Sequence, residues 1–292
     1  METRGYLLAA GAACLWGLSG VISKYLFRAD VRPIDLLSLR TLLATILLVL
    51  IIAIANRKLL RIRKADLGYF ALLGFLGLAA NQYLYYMALD LTSVAFALLL
   101  QYTAPLFLLA YGLIARTETM SAGKVIAALT AVSGCAMMVG GQAGGVGPAS
   151  WRGIIPALGS AVCFAFYTRY GQIGLRKYSA TTVLVYAFIF ASVAWLVIRP
   201  VWRLPLESYS SQTWLFILYL SSLASILPFG LYLASLKYLE ASRTNITSTL
   251  EPVVASTIAW IWLGEHMTAW QLSGGAAVLA GVILLQLERR YR

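Results

Sequence analysis

Charge is scarce in this chain, and acid is scarcer than base: 12% of its residues are charged, with 11 Asp and Glu against 23 Lys and Arg. There is one histidine, and there are three cysteines. Each shortage removes a class of function. Cys14, Cys135 and Cys163 all lie inside apolar runs, where a thiol behaves as a small hydrophobe, so the sequence offers neither a disulfide framework nor a metal-ligand spacing. An intramembrane serine protease needs a Ser and a His at membrane depth, but His266 falls in a loop. An aspartyl protease needs two buried Asp, and Asp30, Asp35, Asp66 and Asp90 sit at the ends of runs. Long polar segments are missing as well, which leaves no room for a catalytic or nucleotide-binding module outside the membrane. The sequence is not that of an enzyme, and nothing in it asks for a cofactor or a metal.

What is abundant is apolar length. The chain is 61% hydrophobic with a mean hydropathy of +0.80, against ~45 to 50% apolar residues in a soluble domain. A helix of ~20 residues crosses the ~30 Å hydrocarbon core. Ten runs have that length: 5–27, 34–55, 67–89, 93–115, 121–140, 153–173, 180–199, 212–236, 241–263 and 269–287. The expected fold is an all-α integral membrane protein with ten transmembrane helices. The first run follows Arg4 but has no small-residue cleavage site leading into a polar start, so it reads as a retained helix and not as a signal peptide.

The basic residues flank these runs. With a cytoplasmic N-terminus, the inner segments collect Arg4, Arg57, Lys58, Arg61, Arg63, Lys64, Arg116, Lys124, Arg176, Lys177, Lys237, Arg243, Arg289, Arg290 and Arg292, and the outer ones only Arg28, Arg32, Arg152, Arg199 and Arg203. The positive-inside rule then puts both termini in the cytoplasm. No aromatic-interleaved soluble surface accompanies the excess of base, so the partner is the lipid bilayer and not nucleic acid. Trp151, Trp214, Trp262 and Trp270 fall at run ends, where indoles favour the interface.

An offset of 147 lays Pro252 on Pro105, Glu265 on Glu118, Met267 on Met120, Ala269 on Ala122 and Gly281 on Gly134; an offset of 148 lays Gly153, Ala157, Gly159 and Ala161 on Gly5, Ala9, Gly11 and Ala13. The boundary is the Gly-rich stretch GGQAGGVGPAS, giving a first unit 1–140, a flexible linker 141–150 and a second unit 151–292. Five helices is an odd number, so the second unit enters the bilayer from the opposite side. Inverted repeats of this kind set a binding site near the midplane, between halves that rock against each other. Gly68, Gly74 and Gly77 in the third run, and Gly274, Gly275 and Gly281 in the last, are expected to admit neighbouring backbones.

Within the ninth run, Glu251 and Pro252 stand near mid-span, where a carboxylate is costly and a proline frees a backbone carbonyl. Thr244, Ser248, Glu251 and Ala255 are spaced four, three and four apart and share one helix face, with Gln101 the first-half counterpart of Ser248 and Tyr102 beside it. The third run adds Asn81, Gln82, Tyr83, Tyr85 and Tyr86; the first offers Trp16 and Ser19, the sixth Tyr167 and Thr168, and the eighth Pro228 and Tyr232. Polar groups at that depth need partners. Together they would line an aromatic cavity with a few polar points, suited to a small organic solute; the alternative is interhelical hydrogen bonding with no ligand. Glu251 has two readings: proton coupling or recognition of a substrate amine, or a partner for the carbonyl opened at Pro252. Arg40 would meet a substrate carboxylate, or else snorkel outward or pair with Asp35. Lys24 and Arg169 read as snorkelling residues, and Glu118 and Glu265 as contacts at helix ends.

The segments LEPVVASTIAWIWLGE at 250–265 and YTAPLFLLAYGLIARTE at 102–118, with Trp16-Gly17, resemble the EamA-type members of the drug/metabolite transporter superfamily over nearly the whole chain. Thr117-Glu118 departs from the Gly-Glu usual there. The resemblance implies a ten-helix secondary transporter of the bacterial inner membrane, with a cavity formed by the third, fourth, eighth and ninth helices, exporting small metabolites such as amino acids by alternating access. Relatives that carry drugs, purines or other metabolites leave the solute open, as they leave open proton coupling and a monomeric or homodimeric state. The mid-span Tyr and Trp residues favour an aromatic or amphipathic solute. A channel or a non-transporting membrane partner is the competing class.

Overall fold

The computed structural model describes residues 2–28, 31–91, 94–140, 151–263 and 268–287, and every regular element among them is helical. The linker 141–150, Glu265 and His266 lie outside the described residues, as do the side chains of Lys24, Asp90, Trp151 and Trp262. The helices are α1 (Glu2–Arg28), α2 (Pro33–Ala55), α3 (Leu67–Leu72), α4 (Asn81–Leu91), α5 (Val94–Gln101), α6 (Ala104–Ile114), α7 (Ala122–Gly140), α8 (Trp151–Gly174), α9 (Ala180–Ile198), α10 (Ser211–Ser221), α11 (Leu227–Ser235), α12 (Ala241–Ser248), α13 (Glu251–Leu263) and α14 (Ala269–Leu287). Seven helical stretches among the described residues are long and apolar enough to cross a membrane. Their outer surface is apolar too: Ile54, Ile114, Val197 and Leu7 are 86%, 83%, 78% and 70% exposed. A polypeptide presents such a surface to lipid, not to water.

The helix starts follow local chemistry. Ser179 and Ser210 accept hydrogen bonds from the Thr182 and Thr213 amides at 3.0 and 3.1 Å, satisfying donors that a first turn leaves free. Pro33 opens α2 where its missing amide costs nothing.

Two runs read as single spans are each built from two short helices. The fourth breaks between Gln101 and Ala104 and the ninth between Ser248 and Glu251, at matching places 147 residues apart. Pro105 and Pro252 therefore occupy the first turn of a new helix and not a helix middle. Hydroxyls beside the breaks bond back to carbonyls of the preceding turn: Thr103 Oγ1 donates to Leu100 O and Thr249 Oγ1 to Ile246 O, both at 2.6 Å, and Ser248 Oγ to Asn245 O at 2.7 Å. In a bilayer such groups have no water to turn to, so nearby Ser and Thr supply the donors.

The third and eighth runs share another irregularity. Leu73–Ala80 and Ser222–Ile226 are π-helical. A π turn accommodates an extra residue and rotates the helix beyond it. The rotated segments are Asn81–Tyr86 in the third run and Pro228–Tyr232 in the eighth.

Packing repeats with the same interval. Thr45 Oγ1 and Ser192 Oγ, 147 residues apart, hydrogen-bond one another at 2.7 Å between α2 and α9. Where α7 crosses α14, a Cβ on Gly134 would lie 2.6 Å from Gly274 O and 2.6 Å from Val278 N; a Cβ on Gly281 would lie 2.8 Å from Ala127 O and 2.9 Å from Ala131 N, the same contacts displaced by 147. Gly74 and Gly77 do admit neighbours, the first against Ala187 and Phe190 and the second against Tyr167. Two glycine expectations are corrected: Gly68 has nothing within 4 Å, and Gly275 makes only ordinary contacts from 3.7 Å outward.

Polar ties hold the ends. Asp35, 1% exposed, accepts from Arg32 Nε at 2.9 Å and Arg199 Nε at 2.6 Å. Asp66 binds Lys177 and the Tyr178 hydroxyl; these hydrogen bonds, Lys177 first, hold its carboxyl below the usual carboxylate range. A depressed carboxyl stabilises the fold above its unfolded pKa and ceases to do so as pH falls through the folded value. The Asp66 tie should thus persist unchanged from pH 8 to 5 and open only in stronger acid, whereas Asp66→Asn should loosen it at every pH; amide exchange over residues 57–66 measures both.

Candidate functional site

The helix breaks and the π turns converge on one region. Arg40 on α2, Tyr85 and Tyr86 on α4, Gln101 and Tyr102 at the first break and Glu251 at the second, all expected from the sequence to line a cavity, each keep some accessible surface. Arg40 lies within electrostatic reach of Glu251 and Tyr86, and Glu251 within reach of Tyr85, Tyr102 and Cys135. The Tyr85 and Tyr86 rings meet edge to face with centroids 5.6 Å apart.

Arg40 does not pair with Asp35, which Arg32 and Arg199 already occupy; its Nε donates to Ser225 Oγ at 3.1 Å instead. Ser225 in turn donates to Leu220 O, five residues back along the π-helical turn, at 2.8 Å. The guanidinium is aimed inward because this local backbone supplies its partner. Glu251 has no hydrogen-bond partner among the described residues, the Ser248 carbonyl four residues before Pro252 included. Its carboxyl therefore takes no part in mending the backbone and remains available to the cavity.

The other candidates divide. Asn81 Nδ2 donates to Ser160 O at 3.1 Å, and Asn81 Oδ1 accepts a long contact, 3.5 Å, from Gln101 Nε2, which joins it to the same wall. Gln82 points elsewhere, accepting from Trp195 Nε1 at 3.2 Å. Ser248 is 5% exposed and engaged with the backbone. Trp16, Tyr167 and Tyr232 form a second, aromatic group. Trp16 packs on Phe229 and Tyr232 with centroids 5.1 and 5.4 Å apart, and Tyr167 meets Phe229 at 5.9 Å. Tyr167 and Tyr232 are fully buried. The Tyr232 hydroxyl is held by Thr168 Oγ1 at 2.7 Å and by Asn245 Nδ2 at 2.8 Å, so these two rings support the wall and Trp16 alone of the three stays partly accessible.

Ser225, Cys135 and Asn245 are the neighbours that the sequence did not single out. Asn245 had a signal, an amide in a spanning run. Ser225 and Cys135 had none, because a small polar residue in a membrane helix usually just returns its hydrogen bond to the preceding turn.

Gly17 sets the position of Glu251. A Cβ there would lie 2.9 Å from Glu251 O, 3.0 Å from Ala255 N and 3.1 Å from Val254 Cβ. Gly17→Ala should therefore push α13 off α1, cost about 1–3 kcal/mol by overpacking and misplace the carboxyl; a melting curve together with solute flux would register both effects.

At the basic end of the bundle lies a further cavity of about 520 Å³, bordered by Glu118, Arg169, Gln172, Arg176, Lys237 and Glu240. Beside it Lys124, fully buried, donates to Glu240 Oε2 at 2.5 Å and Glu118 Oε2 at 3.2 Å. By sequence this lysine is one of the flanking charges; the fold buries it between two carboxylates.

The EamA-like transporter family matches residues 3–140 and again 151–287. An uncharacterized inner membrane transporter, YicL of Salmonella typhimurium (strain LT2), is 25% identical over 99% of this chain and 97% of its own length. The threonine/homoserine exporter RhtA of Escherichia coli (strain K12) is 27% identical over 94% of this chain and 88% of its own. A probable terminal-alkyne amino-acid exporter of Streptantibioticus cattleyicolor is 27% identical over 77% and 75%. One solved crystal structure superposes with a TM-score of 0.84 over 100% of this chain and 99% of its own at 18% identity, a likeness of fold alone. The chain belongs to the EamA-like transporter family, and it is a multi-pass membrane transporter and not an enzyme.

Proposed function

We propose that the chain exports small amphipathic solutes bearing both an amine and a carboxylate, amino acids or their relatives, across the bacterial inner membrane by alternating access. The observation that carries this reading is the opposed pair at the cavity: Glu251 with no hydrogen-bond partner among the described residues, and Arg40 coupled to it with its Nε held by Ser225. A zwitterion presents an amine to the first and a carboxylate to the second, while Tyr85, Tyr86 and Tyr102 supply an apolar wall for a side chain. Salt-bridge partners in a low-dielectric site are worth more than in water, so a solute that satisfies both charges gains over a neutral one. The exporters named among the relatives handle amino acids, which agrees with this chemistry.

In the same reading the fold is ten spans in two inverted halves, 1–140 and 151–292, joined by 141–150, with both termini cytoplasmic. The breaks recurring 147 residues apart, the π turns in the third and eighth runs, and the reciprocal glycine contacts of α7 and α14 support it. Glu251 is the proton-coupling group, since it is the carboxyl that has no counterpart in the first half, where Ala104 stands. Purified protein in proteoliposomes, screened for saturable flux of amino acids, purines and cationic drugs, tests the assignment. Saturable flux confined to zwitterions supports it; a flux that never saturates indicates a channel and overturns it.

A further inference from the structure

The cavity at the basic end is lined by three cations, Arg169, Arg176 and Lys237, that make no ion pair among the described residues. Glu118 is engaged by Lys124 and by the Ser242 amide and hydroxyl. Glu240 is engaged by Lys124 and by Arg243 Nε at 3.3 Å, with Thr119 on its other oxygen. Among the described residues no acid lies within 4.0 Å of Arg169, Arg176 or Lys237, although Glu118 and Glu240 line the same cavity. Arg169 is also positioned: one of its terminal nitrogens donates to Gln172 Oε1 at 2.7 Å, and its guanidinium lies over the Tyr111 ring, 5.9 Å from the centroid. Gln172 is oriented for this by donating its own amide to Leu239 O at 3.0 Å and Leu236 O at 3.4 Å. Yet Arg169 Nε is buried and has no partner among the described residues. Nε itself is closed to a ligand; what the cavity offers is the rest of the guanidinium, fixed by stacking and a single hydrogen bond, whose terminal nitrogens suit a carboxylate.

We infer that this cavity is a second binding site, one that takes the carboxylate of a small organic solute on Arg169, with Arg176 and Lys237 at the rim drawing the anion in. At about 520 Å³ it has room for one amphipathic molecule. It is separate from the Glu251 cavity in its residues, and it rests on the carrier reading only for the identity of its natural occupant.

Calorimetric titration of the full chain in zwitterionic-lipid nanodiscs tests it, with N-acetylphenylalanine as the anion and its uncharged amide as the control. The anion should bind saturably and the amide at least tenfold more weakly. Arg169→Gln should weaken anion binding tenfold or more. Arg176→Ala with Lys237→Ala, both at exposed positions and harmless to folding, should weaken it threefold to tenfold by slowing capture, so the inference stands or falls even where Arg169→Gln yields no folded protein. Gly68→Ala, at a position with nothing within 4 Å, should leave it unchanged, and saturable anion binding by a protein that shows no solute flux would sink the carrier reading alone. Equal binding of the amide, or full affinity in the Arg176/Lys237 variant together with Arg169→Gln, would overturn the inference. An Arg169-dependent response to phosphatidylglycerol in place of the soluble carboxylate would reassign the cavity to lipid, and would overturn it as well.

Discussion

Glu251→Gln should reduce solute flux in proteoliposomes to the level of protein-free vesicles while the protein remains folded. Glutamine keeps the shape of the side chain and removes the charge, and no hydrogen bond to the original carboxyl is lost because none is made among the described residues. What changes is Arg40, whose charge then faces the cavity uncompensated except by Ser225 and the tyrosine dipoles. Such an imbalance costs on the order of 1–3 kcal/mol, and Arg40→Gln in the same chain should restore most of it, a non-additivity expected of two charges that interact. Flux should stay absent in the double variant, which separates function from stability. The proton role is tested by imposing a pH gradient: wild-type flux should respond and any residual flux of Glu251→Gln should not. A variant that still transports and still follows the gradient would remove Glu251 from coupling.

The largest structural effect is expected at the α7–α14 crossing. Gly134→Val places a carbon where Gly274 O and Val278 N lie 2.6 Å away, well inside the ~3.3 Å at which carbon and carbonyl oxygen normally meet. Both obstacles are backbone, so neither can rotate aside. One added methyl in a tight contact costs about 1–3 kcal/mol, and valine adds three carbons, so the variant should fail to give monodisperse protein in detergent or should melt far below wild type. Gly68→Ala is the matched control. Nothing lies within 4 Å of that position, and alanine there should be neutral or slightly stabilising through helix propensity.

The contrast between these glycines marks where the sequence stops being informative. Composition and run length made the membrane class plain, and the separation of Pro105 from Pro252 announced two similar halves. The same spacing said nothing of direction, so Gly68 and Gly134 looked alike although one faces open space and the other a backbone. Glu251 and Arg40 were conspicuous as charges within apolar runs, and the tyrosines as phenols at the same depth. That Arg40 turns to Ser225 instead of Asp35 depends on a π turn, which no residue pattern announces. The burial of Lys124 was illegible for a related reason: a lysine at a helix end is normally free to reach water, and its carboxylate partner Glu240 stands 116 residues away.

Helix α12 has a consequence for how the protein is made. All eight of its residues, Ala241 to Ser248, are buried, although six of them are Ser, Arg, Thr or Asn. Its walls come from α1, α6, α7, α8 and α14, and its contents are bonded to them: Arg243 reaches the Tyr6 hydroxyl at 3.1 Å and Leu285 O at 3.0 Å, and Asn245 reaches Tyr232. A segment of this composition leaving the ribosome has little reason to partition into lipid by itself. Its insertion must wait until the earlier helices stand ready to receive it and is completed only when α14 arrives. Biogenesis of the last third is therefore a templated step, and truncation after α13 should send the chain to quality-control proteolysis instead of leaving a shortened carrier in the membrane.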